Sequence, residues 1–478
     1  MSNNRDYQGW DYATQYRSLS RSWRELCERY LPVMIRGSIW RYSRGLNLLD
    51  PEQGWKLHIP ASVLTASAAL EKIAPFIHRH NLLLKAPISL QELEKLNSGI
   101  YYGYCQVGKV ITVYPQTTKE AIGLARSLYT VTRHLPAPSV PFDLKFRPDG
   151  CLYYRYGSFS LIEKENDDGT RTFAIRDPGG NLIADRRDSE RAMPDWITDP
   201  FTLQSRRRKT KVAETPLKNS FRAFRALSQR GKGGVYQALD LSALPPRLCV
   251  LKEGRKNGET GLDGLDGYAR VKHEARVLED LHAKGISVPR LYSSFQGEEN
   301  YYLALEHIEG ESLDKWLGRR KRRLTIAKAL RYSLQISNII ARIHGAGWVW
   351  RDCKLANLMV TKRGEMRPLD FEGACPVDKP DPMPWGSPSY VPPEWQDEFR
   401  GQSRVPGDLY ALGVIIYLLL TGCLPDASPL QPMEKLRRNI PPSISDLVSE
   451  LLDAVSVRRP SARVAARRLK AALKARSA

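Results

Sequence analysis

A chain of 478 residues, 42% hydrophobic and 26% charged, has the composition of an ordinary globular protein and the length of two to four domains. Its longest apolar run, LYALGVIIYLLLTG at 409–422, is too short to span a bilayer and reads as a buried core helix; the N-terminal MSNNRDYQGWDYATQYRS lacks a signal-peptide core, so a cytoplasmic protein with no membrane partner is expected. A net charge of +21 suits acidic peptides or phosphorylated substrates, and no RNA-binding or zinc-finger motif accompanies the basic clusters at 206–209, 319–323 and the C-terminal helix, so nucleic acid is not the expected partner.

In chain order, SWRELCERYLP and VLTASAALEKIAPFIHRHN carry helical periodicity, and ITVYP, CLYYRYGSFSLIE and TFAIRDP read as strands. They predict a mixed α+β domain over 1–205. SRRRKTKVAETPLKNS is polar, basic and without pattern, and marks a linker over 206–220. Beyond it, YQALDL, RLCVLKEG and NYYLALEHI read as strands. ARVKHEARVLEDLHAKG is helical and ends on Gly285, and LTIAKALRYSLQISNIIARIHGAG opens a helical region. A mostly β part followed by a mostly α part predicts a bilobal unit over 221–478, with one lobe to about 310 and the other over 311–478. The seven Cys form no CxxC pair and are odd in number, which points to isolated thiols rather than disulfides or a structural zinc.

The bilobal unit carries parts for phosphoryl transfer. Gly231, Gly233 and Gly234 lie between two strands, where a Gly-rich turn lets backbone N–H groups approach phosphate oxygens. Lys252 in VLKEG stands where a strand lysine grips phosphates, and Glu274 on the next helix would pair with it. In WRDCKLANLMV, 350–360, Asp352 would accept the proton of an attacking hydroxyl, Lys354 would neutralise the transferred phosphoryl group, and Asn357 would hold magnesium. Asp370 in LDFEG would chelate the metal bridging the phosphates. PPEW at 392–395, GDLYALG at 407–413 and Arg459-Pro460 follow as anchors of a large lobe. Taken in this order, the segments resemble a protein kinase. Three departures stand out. Tyr236 occupies the third glycine position of the loop, Trp350 replaces a His that is usually structural, and DFE replaces DFG, which moves the flexible glycine to Gly373. The residues that touch nucleotide and metal are retained, so an active kinase using ATP or another nucleoside triphosphate with Mg2+ is expected.

In the first domain, GWKLHIPAS places Lys56 and His58 two apart on an extended segment, so both side chains share one face. Lys85 follows in NLLLKAPIS, then VGKVITVYP at 107–115 and YYRYGSF at 153–159. These residues in this order resemble the phosphoserine/phosphothreonine lyase domain of class III and IV lanthipeptide synthetases, which is similar to the phosphothreonine lyases that bacteria inject into host cells. In those synthetases a lyase precedes a kinase, and LDFEGA is typical of their kinases, so the resemblance covers essentially the whole chain. It implies a phosphothreonine-lyase-like α+β fold ahead of the kinase. It also implies Lys85 as base, kept neutral by burial and neighbouring cations; His58 as the acid that protonates the leaving phosphate; Lys56 at the enolate-like carbonyl or the phosphate; and Lys109 and Arg155 as phosphate binders. No metal or organic cofactor is needed for that step. Ten residues before Tyr114 the family carries a phosphate-clamping Arg, and here Tyr104 stands there. Either Lys109, Arg155 or Arg186 compensates, or the lyase is slow.

Full-length relatives continue into a zinc-dependent cyclase domain. This chain ends at Ala478, so either it is truncated or a separate enzyme closes rings, as in lipolanthine-type pathways. The main expectation is a bifunctional dehydratase, a Ser/Thr kinase and a carbon–oxygen lyase in one chain. Its partners would be a ribosomal precursor peptide with an acidic leader and a separate cyclase or decarboxylase. The alternative is a Ser/Thr kinase whose N-terminal domain only binds substrate. A nucleic-acid scaffold, recognised by steeply salt-dependent binding without phosphoryl transfer, is a third reading.

Overall fold

The computed structural model of the chain describes residues 12–160, 162–185, 193–201, 220–379, 381, 383, 385–394, 405–425 and 431–476. Arg186, Trp395 and nearly all of the expected linker lie outside the described residues.

The N-terminal domain is built on seven strands: β1 (Val33–Met34), β2 (Trp40–Tyr42), β3 (Gln53–Ile59), β4 (Leu83–Pro87), β5 (Ile111–Tyr114), β6 (Leu144–Lys145) and β7 (Tyr153–Ser158). They form an antiparallel sheet in the order β1-β2-β4-β5-β3-β7-β6. Period-two alternation divides β3 between two faces. Leu57 and Ile59 are fully buried and join a core with Leu84, Val113 and Tyr154, which leaves Lys56 and His58 on the opposite face. Four helices, α1 (Tyr12–Tyr30), α2 (Ala66–His80), α3 (Leu90–Ser98) and α4 (Thr118–Thr132), add Trp23, Leu70, Ile73, Leu93, Leu124 and Leu128 to that core. Two of the helix starts follow capping rules. Ser89 accepts the Glu92 N–H at 3.2 Å and Thr117 accepts the Glu120 N–H at 3.1 Å. Three further strands, β8 (Glu163–Glu165), β9 (Arg171–Arg176) and β10 (Leu182–Ala184), form a small meander beside the domain.

The second domain opens with β11 (Phe221–Arg230), β12 (Gly233–Asp240), β13 (Arg247–Gly254), β14 (Leu291–Gly297) and β15 (Asn300–Glu306), a five-stranded antiparallel sheet ordered β11-β12-β13-β15-β14. Helix α5 (Gly267–Ala283), capped by Asp266, packs on it through Val271, Ala275 and Leu278. The large lobe is helical: α6 (Ile326–Gly345), α7 (Val405–Thr421), α8 (Pro442–Leu451) and α9 (Ala462–Ala475). Helix α7, the long apolar run of the sequence, buries twelve residues, which is why it shows no polar face. No described helix is long and apolar enough to cross a membrane. Five of the seven cysteines are buried; Cys105 is half-buried and Cys423 exposed.

The two domains share packing. Leu262, in the loop before α5, and Met383 both pack into the N-terminal core. The Gly231 N–H donates to Ser98 O at 3.1 Å, at the C-terminus of α3, and the Arg255 guanidinium lies 4.7 Å over the Tyr104 ring. A Cβ on Gly231 would sit 1.7 Å from Asn97 O. Gly231→Ala is therefore expected to cost about 1–3 kcal/mol through overpacking at the junction. Thermal denaturation should show a midpoint several degrees lower, whereas Gly318→Ala, where a Cβ meets nothing within 4 Å, should leave it nearly unchanged.

Candidate active sites of the two domains

The cleft of the bilobal unit is organised by short-range charge. Lys252 on β13 reaches Glu274 on α5 at 2.6 Å and Asp370 at 2.8 Å. Burial alone would favour neutral Lys252, but Asp370 and Glu274 reverse this and raise it above its ordinary value. Burial likewise opposes charge on Asp370, yet Lys252 and Lys232 hold its carboxyl well below the usual range. Lys354 Nζ donates to Asp352 Oδ2 at 2.7 Å and to Ser387 Oγ at 2.8 Å, and Ser387 Oγ donates to Asp352 Oδ1 at 3.2 Å. Burial pushes the Asp352 carboxyl up, with Lys354 opposing, which suits a proton acceptor. The Asn357 amide donates to Asp352 O and Oδ2, both at 2.9 Å, so its oxygen is the atom that would ligate a cation. An ionised Asp370 and a carboxamide oxygen form a hard-oxygen donor set that fits magnesium. A cavity of about 490 Å³ in front of Asp352, Lys354 and Asp370 is within the range of small-molecule sites. Its far wall belongs to the N-terminal domain: Ser62, Val63, Glu94 and Asn97 line it.

The departures from the kinase pattern find physical roles. Trp350 is fully buried, stacks on Phe371 with ring centroids 5.5 Å apart, and donates its indole N–H to Asp370 O at 3.0 Å. It therefore holds the Asp370 backbone, a positioning role. Gly373 is required because Trp385 lies against it, 1.9 Å from where a Cβ would stand. Glu394 pairs with Arg459 at 2.7 Å and ties the segment after the cleft to the end of the lobe. The glycine turn departs from the expectation. Gly233 and Gly234 belong to β12, paired with Arg230 and Gln229, and only Gly231 and Lys232 form the turn. The Gly231 N–H, expected to face phosphate, is spent on Ser98 O, because α3 of the other domain presses on the turn. Tyr236 is not a loop residue at all; it pairs with Leu251 inside the sheet and donates to Glu253 Oε2 at 3.1 Å.

In the N-terminal domain, strand register gathers the expected residues. Lys85 pairs with Thr112, Thr112 with His58, and Lys56 with Arg155. Directly paired residues point to the same face, so Lys56, His58, Lys85 and Arg155 share one. The Lys85 ammonium lies 4.2 Å from the Trp40 ring centre and 6.0 Å from that of Tyr114, and Lys56 approaches Tyr114 from 5.8 Å. Lys109, buried, binds Asp143 Oδ1 at 3.0 Å, and the other Asp143 oxygen meets His58 Nδ1 at 2.5 Å. Burial lowers Lys109, and a neighbouring Arg155 adds to this against Asp143. Arg155 pairs with Asp185.

Burial, with repulsion from Lys109 and Lys56, takes His58 down to about 4, although Asp143 pulls the other way. Burial opposes ionisation of Asp143, yet His58 and Lys109 draw it down to about 2. At neutral pH the pair is thus a neutral imidazole beside a carboxylate. Between pH 6.5 and about 4 the unfolded chain protonates this histidine and the folded chain does not. Stability therefore falls as pH drops through that window, by up to about 3 kcal/mol. Urea midpoints should fall more steeply there for the unaltered protein than for His58→Gln; parallel profiles would contradict the assignment.

Sequence reading missed Asp143, Asp185, Glu372, Ser387 and Lys232. Asp143 lies 85 positions from His58 in a turn where Phe142 adopts φ +64°, and no linear motif joins the two. Tyr104 packs edge-on to Phe142 at 5.7 Å and under Arg255, as part of the domain junction.

Two family models match separate stretches of the chain. A family model described as "RamC, N-terminal domain" matches residues 33–213, and one described as "Protein kinase domain" matches 230–472. The chain is 30% identical over 388 residues to the "Probable SapB synthase" of Streptomyces coelicolor; the match takes in 78% of this chain and 40% of that protein, so the chain spans less than half the length of this relative. It is 30% identical over 261 residues to serine/threonine-protein kinase PknA of Mycobacterium tuberculosis, covering 52% of this chain and 58% of that one. It is also 30% identical over 214 residues to serine/threonine-protein kinase F of Synechocystis, covering 41% and 42%. With the kinase match covering half of its residues, the chain belongs to the protein kinase family and carries a RamC-type N-terminal domain ahead of its kinase domain.

Proposed function

We propose that this chain is a bifunctional peptide dehydratase. Its kinase domain phosphorylates Ser or Thr of a ribosomal precursor peptide, and its N-terminal domain eliminates the phosphate to leave dehydroalanine or dehydrobutyrine. The observation that carries this reading is the convergence of Lys56, His58, Lys85 and Arg155 on one sheet face, with Lys109 bound to the same Asp143 as His58, in a chain that also holds a kinase cleft. Similarity to a SapB synthase supports a peptide substrate.

In the first step Asp352 takes the hydroxyl proton while Lys354 neutralises charge on the transferred phosphoryl group, and Lys252, fixed by Glu274, grips the nucleotide phosphates. Asn357 and Asp370 would hold magnesium, which supplies charge neutralisation along the phosphates when bound. In the second step neutral Lys85 removes the Cα proton. The Cβ–O bond then breaks and phosphate departs, taking a proton from His58. A phosphate dianion bound beside His58 would favour its protonated form, so the substrate itself recruits the acid. Lys56 stabilises the carbonyl of the carbanion, and Lys109 and Arg155 hold phosphate. The net reaction removes one water from the peptide.

The alternative, a kinase whose N-terminal domain only binds substrate, is separated by one assay. A synthetic phosphoserine peptide is incubated with the protein without nucleotide. Release of inorganic phosphate with formation of dehydroalanine supports elimination, and an unchanged phosphopeptide supports the alternative.

A further inference from the structure

The turn between β11 and β12 contributes little free backbone to a phosphate. The Gly231 N–H is taken by Ser98 O, and the Lys232 carbonyl accepts the Arg255 N–H at 2.8 Å. Lys232 is also pressed against the start of α5, where a Cβ on Gly267 would lie 1.9 Å from Lys232 O. With its backbone pinned on both sides, Lys232 sends its side chain into the cleft and lines the cavity with Asp352, Asp370 and Glu372.

There it meets a carboxylate that a DFG segment does not have. Glu372, with a 4% exposed side chain, binds Lys232 through one oxygen and faces Lys252 through the other at 3.5 Å. Glu372, Asp370 and Glu274 present carboxylate oxygens within 4.8 Å of one another, and Lys252 sits among them. Three carboxylates against two lysines leave the cluster anionic, an unfavourable environment for an incoming polyphosphate. Lys232 is the member with a 32% exposed side chain, on a hairpin tip, and is the cation best able to change partners.

We propose that Lys232 is an additional phosphate-binding residue of the kinase, held by Glu372 until nucleotide arrives and then transferred to the nucleotide's phosphate oxygens. Its side chain replaces the backbone donor, the Gly231 N–H, that α3 removes from the turn. Glu372 acts as a competing anion that sets the cost of moving the Lys232 side chain to the nucleotide. This rests on reading the cleft as the nucleotide site.

Calorimetric titration of the full chain with ADP and magnesium tests it. Lys232→Met should weaken binding about tenfold, the loss of one charge-assisted contact. Glu372→Gln should tighten it about threefold, because nucleotide no longer displaces a partly exposed ion pair. These opposite signs distinguish a competing anion from a structural pair, and thermal midpoints verify that both variants are folded. Lys232→Met binding like the unaltered protein overturns the proposal. So does Glu372→Gln weakening binding as much as Lys232→Met, because the pair is then scaffolding. Unaltered protein that fails to bind ADP overturns the nucleotide-site reading and this inference with it.

Discussion

Lys85→Ala is expected to turn a dehydrating enzyme into a phosphorylating one. Peptide incubated with the variant, nucleotide and magnesium gains phosphate and keeps it, and elimination from a synthetic phosphopeptide falls by about 10²–10⁴-fold, the usual worth of a positioned base. Lys85 stands on β4 over the Trp40 ring, on the face that also carries His58 and Lys56. Lys85→Arg should not rescue, because guanidinium does not deprotonate. If Lys85→Ala leaves the peptide products unchanged, the N-terminal domain only binds substrate.

Asp352→Asn should act on the other half alone. Phosphorylation is expected to drop by about 10²–10⁴-fold, while elimination from a pre-phosphorylated peptide continues at its normal rate. Asn keeps the shape but cannot take the hydroxyl proton, and it weakens the contact to Lys354 at 2.7 Å. Loss of both activities together would mean that the substitution disturbs the shared cleft, whose opposite wall is Ser62, Val63, Glu94 and Asn97 of the N-terminal domain.

Local patterns were the readable part of the sequence. Lys56 and His58, two apart on a strand, share a face by geometry alone, and the kinase segments are recognisable because their chemistry requires fixed short spacings such as Asp352 to Asn357. Trp350 was readable as structural, and its bond to Asp370 O supplies the reason. Partners brought together by tertiary folding were not readable. Asp143 reaches His58 and Lys109 from a turn at Phe142, just before β6, far from both in sequence. The glycine turn was misread for the same reason. What Gly231 touches is decided by Ser98 in another domain, so its N–H cannot be assigned from GKGG. The junction contact of Tyr104 with Arg255 was not readable either, because nothing nearby in sequence announces it.

Mass spectrometry of a precursor peptide incubated with the intact chain, nucleotide and magnesium tests the central reading most directly. A bifunctional dehydratase yields peptide lighter by one or more waters, with phosphopeptide only as a transient species. Peptide that gains phosphate and never loses water would contradict it, and would leave a protein kinase with a binding domain in front.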